Sequence, residues 1–410
     1  MGGKAILFLV VGFSLIFMVA GKNFNNMGLA TTDNLSKYYV QAKAHYIANA
    51  GVNLVINRLF VDATVPDQTF TWNFDGGTIS ATLSTLDPIK NIRQLLSTGT
   101  YSAASLSISN TIKIVFQPSL FSKFAYFSSS EGGTIYWTNR DTVWGPFHTN
   151  DNLNVSYSPV FYGKVSIGGS VYKNPSNSTP QFLGGFQKGV QIAIPTTGVQ
   201  SVATAASSGG ANFTNQSLVY FEFRGDSVRY KFSSNGAYTY KLASTFAPNG
   251  AINFSNAEVH LKGTVKGRYT ISASGTYGNQ GSIFLDDNIV YNTNPQTNPS
   301  STDMLGIVAQ KNVWVTDNTA NNTNGINIDA SIYCQSGSFG AQNYAERPIA
   351  GFINLYGGIT QNVRGAVGTL YNGVINHGFS KRYRYDDRLL TSYPPAYPGC
   401  GSFEIVSWFE

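Results

Sequence analysis

The sequence has few of the residues on which catalytic and metal-binding sites usually depend. Two cysteines and four histidines occur among 410 residues, and charged residues make up only 12% of the chain. Two cysteines exclude a disulfide-dense scaffold and a cysteine-rich zinc module. The four histidines, His45, His148, His260 and His377, lie far apart, and none has a metal-type partner at helical or turn spacing. The sequence therefore predicts no cofactor and no metal site.

The low charge also limits the partners. The net charge is +6, and the lysines and arginines are scattered along the chain, so no electrostatic footprint for nucleic acid is visible. The sequence contains no HExxH, no P-loop, no GxSxG and no dinucleotide-binding fingerprint. These absences predict a protein that does not bind nucleic acid and is not an enzyme.

Glycine and aromatic residues, by contrast, are abundant. The chain has 42 glycines, 24 tyrosines and 27 phenylalanines, and 42% of it is hydrophobic. Aromatic residues fit the pleated, half-buried surface of a sheet, and glycine tolerates the backbone angles of tight turns. This composition predicts a β-rich protein with enough apolar residues for more than one core.

The N-terminus carries a long hydrophobic run. Residues 5–20 contain no charge and lie between Lys4 and Lys22. The run is slightly shorter than the ~20 residues of a full membrane span, and snorkelling by the two lysines can cover the difference. Lys4 before the run predicts that the rest of the chain faces out of the cytoplasm. The residues expected to insert into the membrane or an assembly are Ile6, Leu7, Phe8, Leu9, Val10, Val11, Phe13, Leu15, Ile16 and Phe17.

The helical pattern continues beyond the hydrophobic run. No proline occurs before Pro66, and apolar residues recur at spacings of three and four: Leu35, Tyr39, Ala42, Tyr46, Ala50 and Leu54. One helix is predicted from Lys4 to about Phe60, roughly 85 Å long at 1.5 Å per residue. The alternative is a cleavable secretory peptide with Val19 and Gly21 at its cleavage site.

This start resembles the N-terminal region of PilX-type minor pilins. The resemblance rests on Gly2, Gly3 and Lys4, on the apolar helix, and on a small-residue stretch composed of Ala42, Ala44, Ala48, Ala50, Gly51 and Val52. It implies that a prepilin peptidase cuts after Gly3, leaving Lys4 as the first mature residue. It also implies location in the bacterial inner membrane facing the periplasm, or in a surface filament with other pilin-like subunits. Two residues depart from the family pattern. Lys4 stands where the family has an apolar first mature residue, and Phe8 stands where major pilins have a glutamate.

Residues 61–123 are predicted to form a small β-sheet head. An alternating apolar pattern precedes and follows the Asp75, Gly76 and Gly77 turn, in Phe70, Trp72 and Phe74 and then Ile79, Ala81 and Leu83. Alternation on both sides of such a turn predicts a hairpin. Leu106, Ile108, Ile112, Ile114 and Phe116 share one parity, which predicts a strand pair with one buried face.

The remainder divides into a β-rich region at residues 124–260 and a parallel β-solenoid with a C-terminal cap at residues 261–410. In the second part, apolar strands recur every 17 to 25 residues or so, which is typical of stacked coils. An antiparallel sandwich built from the same strands is the alternative. The complete fold prediction is α+β: a long N-terminal membrane-inserting helix, a small β-sheet head, and a β-rich region that ends in the solenoid.

The body of the chain also resembles an uncharacterised family of bacterial surface proteins. The similar stretches are residues 145–150, 303–306, 364–368 and 383–386. The members of that family often carry PilX-like N-termini, so the resemblance implies a location and an architecture. It implies no activity.

A few polar residues remain as candidate sites. His148 lies beside Asn150 and Asp151, and we expect it to fix a turn rather than to react. Asp386 and Asp387 are the pair that a polysaccharide-active enzyme would use. Because Lys381, Arg382, Arg384 and Arg388 surround them, a structural ion-pair cluster is favoured.

Three other sets of residues were weighed. Asp286, Asp287, Asp303 and Asp317 could bind calcium, but no loop repeats the ligand spacing. An Arg-Gly-Asp tripeptide, known from cell-adhesion ligands, occurs at residues 224–226 within an apparent hairpin. We interpret it as a chance occurrence. Cys334 and Cys400 form a disulfide or remain two free thiols, and the sequence favours neither.

The function predicted from these observations is that of a non-enzymatic, pilin-like surface subunit. Its partners are the membrane, further copies of itself or other pilin-like subunits, and a carbohydrate or protein ligand at the surface. The alternative is a membrane-tethered, polysaccharide-active enzyme.

Overall fold

The computed structural model describes residues 2–87, 91–103, 105–133, 135–139, 141–371 and 374–410. These residues form two compact units. The first contains residues Met1–Pro118 and, from the other end of the chain, Ser402–Glu410. The second contains Ser119–Gly401. The helix followed by β-rich units confirms the predicted α+β class.

Four α-helices, two short 3-10 helices (Phe121–Lys123 and Asp387–Leu390) and 29 strands make up the regular structure of the described chain. The α-helices and strands are numbered along the chain. In order they are α1 (Gly2–Val61), β1 (Gln68–Phe74), β2 (Gly77–Asp87), β3 (Ile92–Ala103), β4 (Leu106–Leu120), β5 (Tyr126–Ser130), β6 (Thr142–Trp144), β7 (Phe147–Thr149), β8 (Leu153–Val155), β9 (Val160–Phe161), β10 (Val165–Ile167), β11 (Val171–Lys173), β12 (Gln181–Phe182), β13 (Phe186–Lys188), α2 (Gly198–Ser207), β14 (Ala211–Thr214), β15 (Leu218–Gly225), β16 (Ser227–Lys231), β17 (Thr239–Leu242), α3 (Ala243–Phe246), β18 (Ala251–Ser255), β19 (Glu258–Val265), β20 (Arg268–Ser274), β21 (Ile283–Tyr291), β22 (Met304–Ala309), β23 (Val313–Val315), α4 (Thr319–Asn324), β24 (Ile326–Cys334), β25 (Phe339–Ala341), β26 (Ile349–Val363), β27 (Gly368–Tyr371), β28 (Val374–Arg384) and β29 (Gly399–Phe409).

The first unit is one long helix and a five-stranded sheet. The strand order is β1-β2-β3-β4-β29, so the last strand of the chain is added beside β4. β1 and β2 form the predicted hairpin, with Trp72 opposite Ile79 and Phe70 opposite Ala81. Asp75 and Gly76 both have positive φ, at 50° and 77°, as a two-residue hairpin turn requires.

One expectation for this sheet is wrong in detail. Residues 106–116 do not make a strand pair; they belong to the single strand β4, which pairs with β3 along its length. Ile112, Ile114 and Phe116 are buried with the helix, and Leu106 and Ile108 are half-buried. The shared parity correctly marked one face, but alternation alone does not show where a strand turns.

The second unit contains a long ladder of parallel strands. Ten strands pair in the spatial order β14, β18, β20, β22, β24, β26, β5, β7, β10, β13, and every one of these pairs is parallel. Two further series run alongside. One is β15, β19, β21, β23, β25, and the other continues from β21 through β24, β26, β28, β6 and β9 to β12.

Antiparallel pairing in the described part of this unit is confined to two places, the β15-β16-β17 meander and the β27-β28 hairpin. A sandwich of antiparallel strands is therefore not the arrangement of this unit. The core consists mainly of valine, isoleucine, leucine and phenylalanine from successive strands, such as Phe254, Ile271, Ile307, Ile332 and Ile359.

The order of strands in space differs from their order along the chain. β26, near the end of the chain, pairs in parallel with β5, near the start of the unit, and β28 pairs with β6. The strands of residues 126–188 thus belong to the same ladders as those that follow residue 211. The sequence-based boundary between residues 260 and 261 falls inside β19, because the pattern of the earlier strands was too short and glycine-rich to show its continuity with the later ones.

Candidate functional site

The N-terminal portion of α1 exposes its apolar side chains on every side. No described residue from Gly3 to Tyr39 is buried. Phe8 is 76% exposed, Ile16 62% and Phe17 71%, although such side chains normally lie in a core. The helix is long and apolar enough to cross a membrane. Bare apolar surface of this extent requires lipid or other protein to cover it.

The distal portion of α1 packs on the sheet of the same unit. Its buried positions are Val40, Ala44, Ile47, Ala48, Val52, Val55 and Leu59, which recur at helical spacing. They contact buried residues of β1 to β4, including Ile79, Leu95 and Ile114. This packing makes the outer third of the helix part of a folded core.

Small residues allow the helix to approach the sheet closely. A Cβ placed on Gly99 in β3 would lie 2.2 Å from the backbone nitrogen of Ala48 and 2.3 Å from the carbonyl oxygen of Ala44. A Cβ on Gly51 would lie 2.4 Å from Oγ of Ser97. The Ser97 hydroxyl donates a hydrogen bond of 2.7 Å to the carbonyl of Ala48. Ala44, Ala48 and Gly51, which belong to the small-residue stretch noted in the sequence, are therefore the contact surface.

The predicted apolar stripe of the helix is on the opposite side. Leu35 and Tyr46 are 68% and 59% exposed, and Tyr39 and Leu54 are also exposed. The spacing of these large apolar residues predicted that the helix continues, whereas the close contact with the sheet uses the small residues Ala44, Ala48 and Gly51. The exposed stripe is an apolar, aromatic surface that continues from the bare N-terminal portion.

Gly3 and Lys4 lie in the first turn of α1 and are exposed. Nothing in the geometry tests cleavage between them, so the processing site stays a prediction. The ten residues expected to insert, Ile6, Leu7, Phe8, Leu9, Val10, Val11, Phe13, Leu15, Ile16 and Phe17, all lie on this exposed part of the helix.

His148 lies in a strand, β7, and not in a turn as expected. It is wholly buried, and its ring stacks on Phe127. Nε2 donates to Oδ1 of Asn150 at 2.8 Å, and Nδ1 lies 2.7 Å from Oγ of Ser166. Burial lowers its pKa. The neutral ring with both nitrogens occupied is a structural residue.

Asp386 and Asp387 do not form a catalytic pair. Asp386 is fully buried and pairs with Arg388, whose Nη2 lies 2.6 Å from Oδ2, while Asp387 is exposed. Asp386 also accepts from the hydroxyl of Tyr356 at 3.3 Å. Both oxygens of Asp386 are thus engaged within the fold, as the predicted ion-pair cluster requires.

The aspartates considered for calcium bind groups of the chain itself. Asp286 accepts from the Thr316 hydroxyl, and Asp303 accepts from backbone nitrogens of Gly267 and Thr293. Asp317 accepts from Asn322 and Asn343, and Asp287 accepts from the backbone nitrogen of Asn288. Among the described residues, no three histidine, cysteine or acidic side chains are arranged so that they could hold a metal ion.

Asp286 belongs instead to a cluster that the sequence did not reveal. Its carboxylate lies 2.9 Å from Nδ1 of His260, and Glu258 lies 3.0 Å from Nε2. Burial opposes protonation of the ring, but Asp286 and then Glu258 outweigh it and raise the pKa of His260. Glu258 and His260 are two apart on one strand and share a face, which is a signal available in the sequence. Asp286 comes from the next parallel strand.

The adhesion tripeptide is in the predicted hairpin. Arg224 is opposite Ser227 in the β15-β16 pair, and Gly225 between them has a φ of 65°. Asp226 pairs with Lys266 at 2.8 Å, and Arg224 lies 3.5 Å from Glu222. Both charged side chains of the tripeptide therefore have partners within the chain.

Cys334 is buried and Cys400 half-buried, and the two are not disulfide-bonded in this structure. Burial raises the pKa of Cys334 to about 12. A disulfide between them stays a prediction.

A buried charge network at the centre of the second unit was also missed. The carboxylate of Glu131, which is inaccessible to solvent, accepts from Tyr126, Ser128, Trp137 and Arg364. The Arg364 guanidinium is 3% exposed and lies over the indole of Trp137 at 4.2 Å. Glu131 and Arg364 are 233 residues apart, so no local pattern in the sequence could pair them.

Comparison with known proteins gives limited matches. Residues 92–170 match a family described only as a domain of unknown function, DUF4900. A comparison with curated proteins gives no match. Among solved structures, the chain is similar to competence-associated pilin ComZ from Thermus thermophilus, with 12% identity and a TM-score of 0.38 over 90% of this chain and 97% of that chain. A TM-score this low is no basis for assigning a function, which has to come from the geometry of the chain itself.

Proposed function

We propose that this chain is a non-enzymatic, pilin-like subunit of the bacterial surface, anchored or assembled through α1. The observation that carries the proposal is the division of α1 into two parts. Up to Tyr39 no described residue is buried, whereas from Val40 the helix packs into a sheet. We call the exposed apolar part of α1, up to Tyr39, the rod. A helix with such a rod at one end and a part buried against a sheet at the other can join a folded head to lipid or to other helices.

We propose that assembly uses the aromatic stripe as well as the N-terminal rod. Tyr38, Tyr39, Tyr46 and Leu54 remain exposed beside the residues that bind the sheet. Helices of further copies are the partner that fits, because an elongated apolar stripe on a straight helix matches a parallel helix best. Before assembly, the chain would wait in the inner membrane with its β-rich part in the periplasm.

We propose further that the chain is cleaved after Gly3, as the PilX-type resemblance of its start implies. Mass spectrometry of the protein isolated from membranes and from sheared surface material tests it. A mature chain that begins at Lys4 is expected. An N-terminus near Gly21 would show a secreted protein without the rod, and the proposal would then fail.

Cross-linking separates a filament subunit from a solitary anchor. Leu15→Cys and Phe24→Cys, in a background with Cys334→Ser and Cys400→Ser, place thiols on the bare rod. Oxidation is expected to produce a ladder of covalent oligomers from assembled subunits. Cysteine at exposed Tyr277 serves as the matched control and should give monomers. Monomers from the rod variants as well would indicate an anchor that does not assemble.

We also propose that the parallel ladders of the second unit wind as a β-solenoid displayed away from the membrane. Three ladders that run side by side in parallel register support it. An experimental density map should show rungs separated by about 4.8 Å along the ladder axis. A map in which the chain does not pass from ladder to ladder around a closed coil would contradict the solenoid.

The alternative, a polysaccharide-active enzyme, receives no support from Asp386 and Asp387. One carboxylate is locked in an ion pair and the other is exposed. The two have different environments and no shared space for a glycosidic bond.

A further inference from the structure

A large cleft opens on the second unit where its early and late strands join. Its volume is about 1670 Å³, and its described lining comes from β6, β26, β28 and the segments next to them. Pockets for single small molecules usually measure about 300–1,000 Å³. The cleft therefore has room for a ligand of several linked units.

The charge of the cleft is mainly positive. Its described lining contains four cations, Arg364, Lys381, Arg382 and Arg384, and one acid, Asp141. Arg382 and Arg384 are exposed. Lys381 lies 3.3 Å from Asp141, and burial lowers its pKa against the effect of that acid. An excess of cations in a concave site concentrates anionic ligands.

Two buried polar atoms in the wall of the cleft have no hydrogen-bond partner among the described residues. They are Nη2 of Arg364 and Oγ1 of Thr369. Arg364 already gives Nη1 to Glu131, so its second nitrogen is a charged donor for which the described part of the chain supplies no acceptor. Leaving such a donor unpaired costs free energy that a ligand acceptor, admitted by a small movement of the wall, would recover.

Flat aromatic rings line the same cleft. Trp144 is 49% exposed, Tyr157 53% and Tyr344 40%. The guanidinium of Arg382 lies over the ring of Phe352, 3.5 Å from the ring centre. Trp144 is held rigid by stacking on Tyr162, with ring centres 3.6 Å apart. Rigid, half-exposed rings present apolar faces at a polar site, which suits the C–H faces of sugar rings.

We infer that this cleft binds an acidic polysaccharide, with carboxylates of uronic acid units held by Arg382 and Lys381 and sugar faces stacked on the aromatic rings. An acidic peptide shares the charge but not the flat, repeating faces. The inference concerns the displayed part of the chain and does not require the helix to assemble, so either proposal can fail while the other stands.

Calorimetry on the full chain in detergent micelles tests the inference. The probes are oligosaccharides of galacturonate, of alginate and of hyaluronate, compared with maltohexaose as a neutral chain and hexaglutamate as an acidic peptide. We expect at least one uronate series to bind, at least tenfold more tightly than both comparison ligands, and more weakly as salt is added.

Surface substitutions locate the binding. Arg382→Ala is expected to weaken uronate binding about tenfold and Tyr344→Ala about fivefold. Lys241→Ala and Tyr277→Ala remove an exposed cation and an exposed aromatic ring outside the cleft, and they should leave binding unchanged. All four residues are exposed, so circular dichroism should show the same folded spectrum for each variant.

Three outcomes would overturn the inference. One is the absence of binding to every uronate series at millimolar concentration. Another is equal binding of hexaglutamate together with no effect of Tyr344→Ala, which would reduce the cleft to a simple anionic-ligand site. The third is an equal loss of binding in the cleft variants and the control variants.

Discussion

At the scale of single residues, the contact between Gly99 and α1 controls how the first unit packs. An added Cβ would overlap backbone atoms of Ala44 and Ala48, which cannot rotate away as a side chain could. The helix would have to move off the sheet and open the core beneath it. The small residues of α1 are therefore as important to this core as its larger apolar ones.

Gly99→Ala is accordingly expected to destabilise the first unit by about 1–3 kcal/mol, the usual cost of overpacking. Thermal unfolding followed by circular dichroism measures it. Gly28→Ala is the matched control, because a Cβ there meets nothing within 4 Å. Alanine is the better helix former, so the control should keep or slightly raise the melting temperature. Equal melting of the two variants would show that the helix does not approach β3 this closely.

His260 and His148 should titrate in opposite directions from the ordinary histidine value of 6.5. Asp286 and Glu258 raise the pKa of His260, whereas burial lowers that of His148. Ring resonances followed by NMR through a pH series give both midpoints. A His260 midpoint at or below that of His148 would contradict the assigned environments.

The same shifts determine their effects on stability. His260 stabilises the fold fully below about pH 6.5, and this contribution is lost as the pH rises through the higher pKa of the folded state. His148 acts in reverse, since its neutral form fits the core and acidification below about pH 6.5 removes stability. Unfolding of His260→Gln and His148→Gln across pH 5–8 separates the two contributions.

At the scale of elements, α1 has two parts with different dependence on the fold. Deleting residues 3–21 removes none of the described buried side chains and should leave the melting temperature unchanged. The shortened chain should also stay in solution without detergent, because the most apolar surface is gone. Val52→Asp, in the buried stripe, is the contrasting change and should unfold the first unit. A large fall in melting temperature on deletion would show that the rod supports the head.

The sequence predicted the extent of this helix well, but it did not show which side of the helix is buried. An uninterrupted pattern without proline is a strong local signal, so the bounds of α1 agree closely with the expectation. Which side is buried depends on the sheet, and β3 has Ser97 and Gly99 where it meets the helix. The helical spacing of Leu35, Tyr39 and Tyr46 did not identify the buried side, because the sequence of the helix contains no information about the shape of its partner.

The candidate sites show the same limit: local patterns reveal nearby partners, but not partners from distant segments. His148 and Asp386 have partners close to them in sequence, Asn150 for His148 and Arg388 for Asp386, so a structural role could be proposed from local residues. The Glu131–Arg364 pair and the cleft beside it were missed, because they form only when β26 lies beside β5. Contacts between distant segments leave no periodic trace in a single sequence.

At the scale of the whole molecule, the Glu131–Arg364 pair links the early and late strands of the second unit. Glu131→Gln leaves the Arg364 charge buried without compensation, which should cost about 3–5 kcal/mol. The double variant Glu131→Gln with Arg364→Met removes that charge and should recover part of the loss. Denaturant unfolding measures both.

Asp226→Asn is the control for that pair. It breaks the exposed Asp226–Lys266 contact, which solvent screens, so it should leave stability almost unchanged. If Glu131→Gln were as mild as this control, the buried network could not be what joins the two segments.

The strand order of the second unit has a consequence for how the protein reaches its destination. Residues 126–130 pair with residues 359–363, so β5 leaves a row of backbone donors and acceptors open until the late segment arrives. In a chain exported with its N-terminus first, residues 359–363 would cross the membrane only near the end of export. Meanwhile the earlier strands would stand in the periplasm with an unsatisfied edge, prone to joining the wrong neighbour. Correct folding would then depend on fast export or on a chaperone that covers the open edge of β5 until β26 pairs with it.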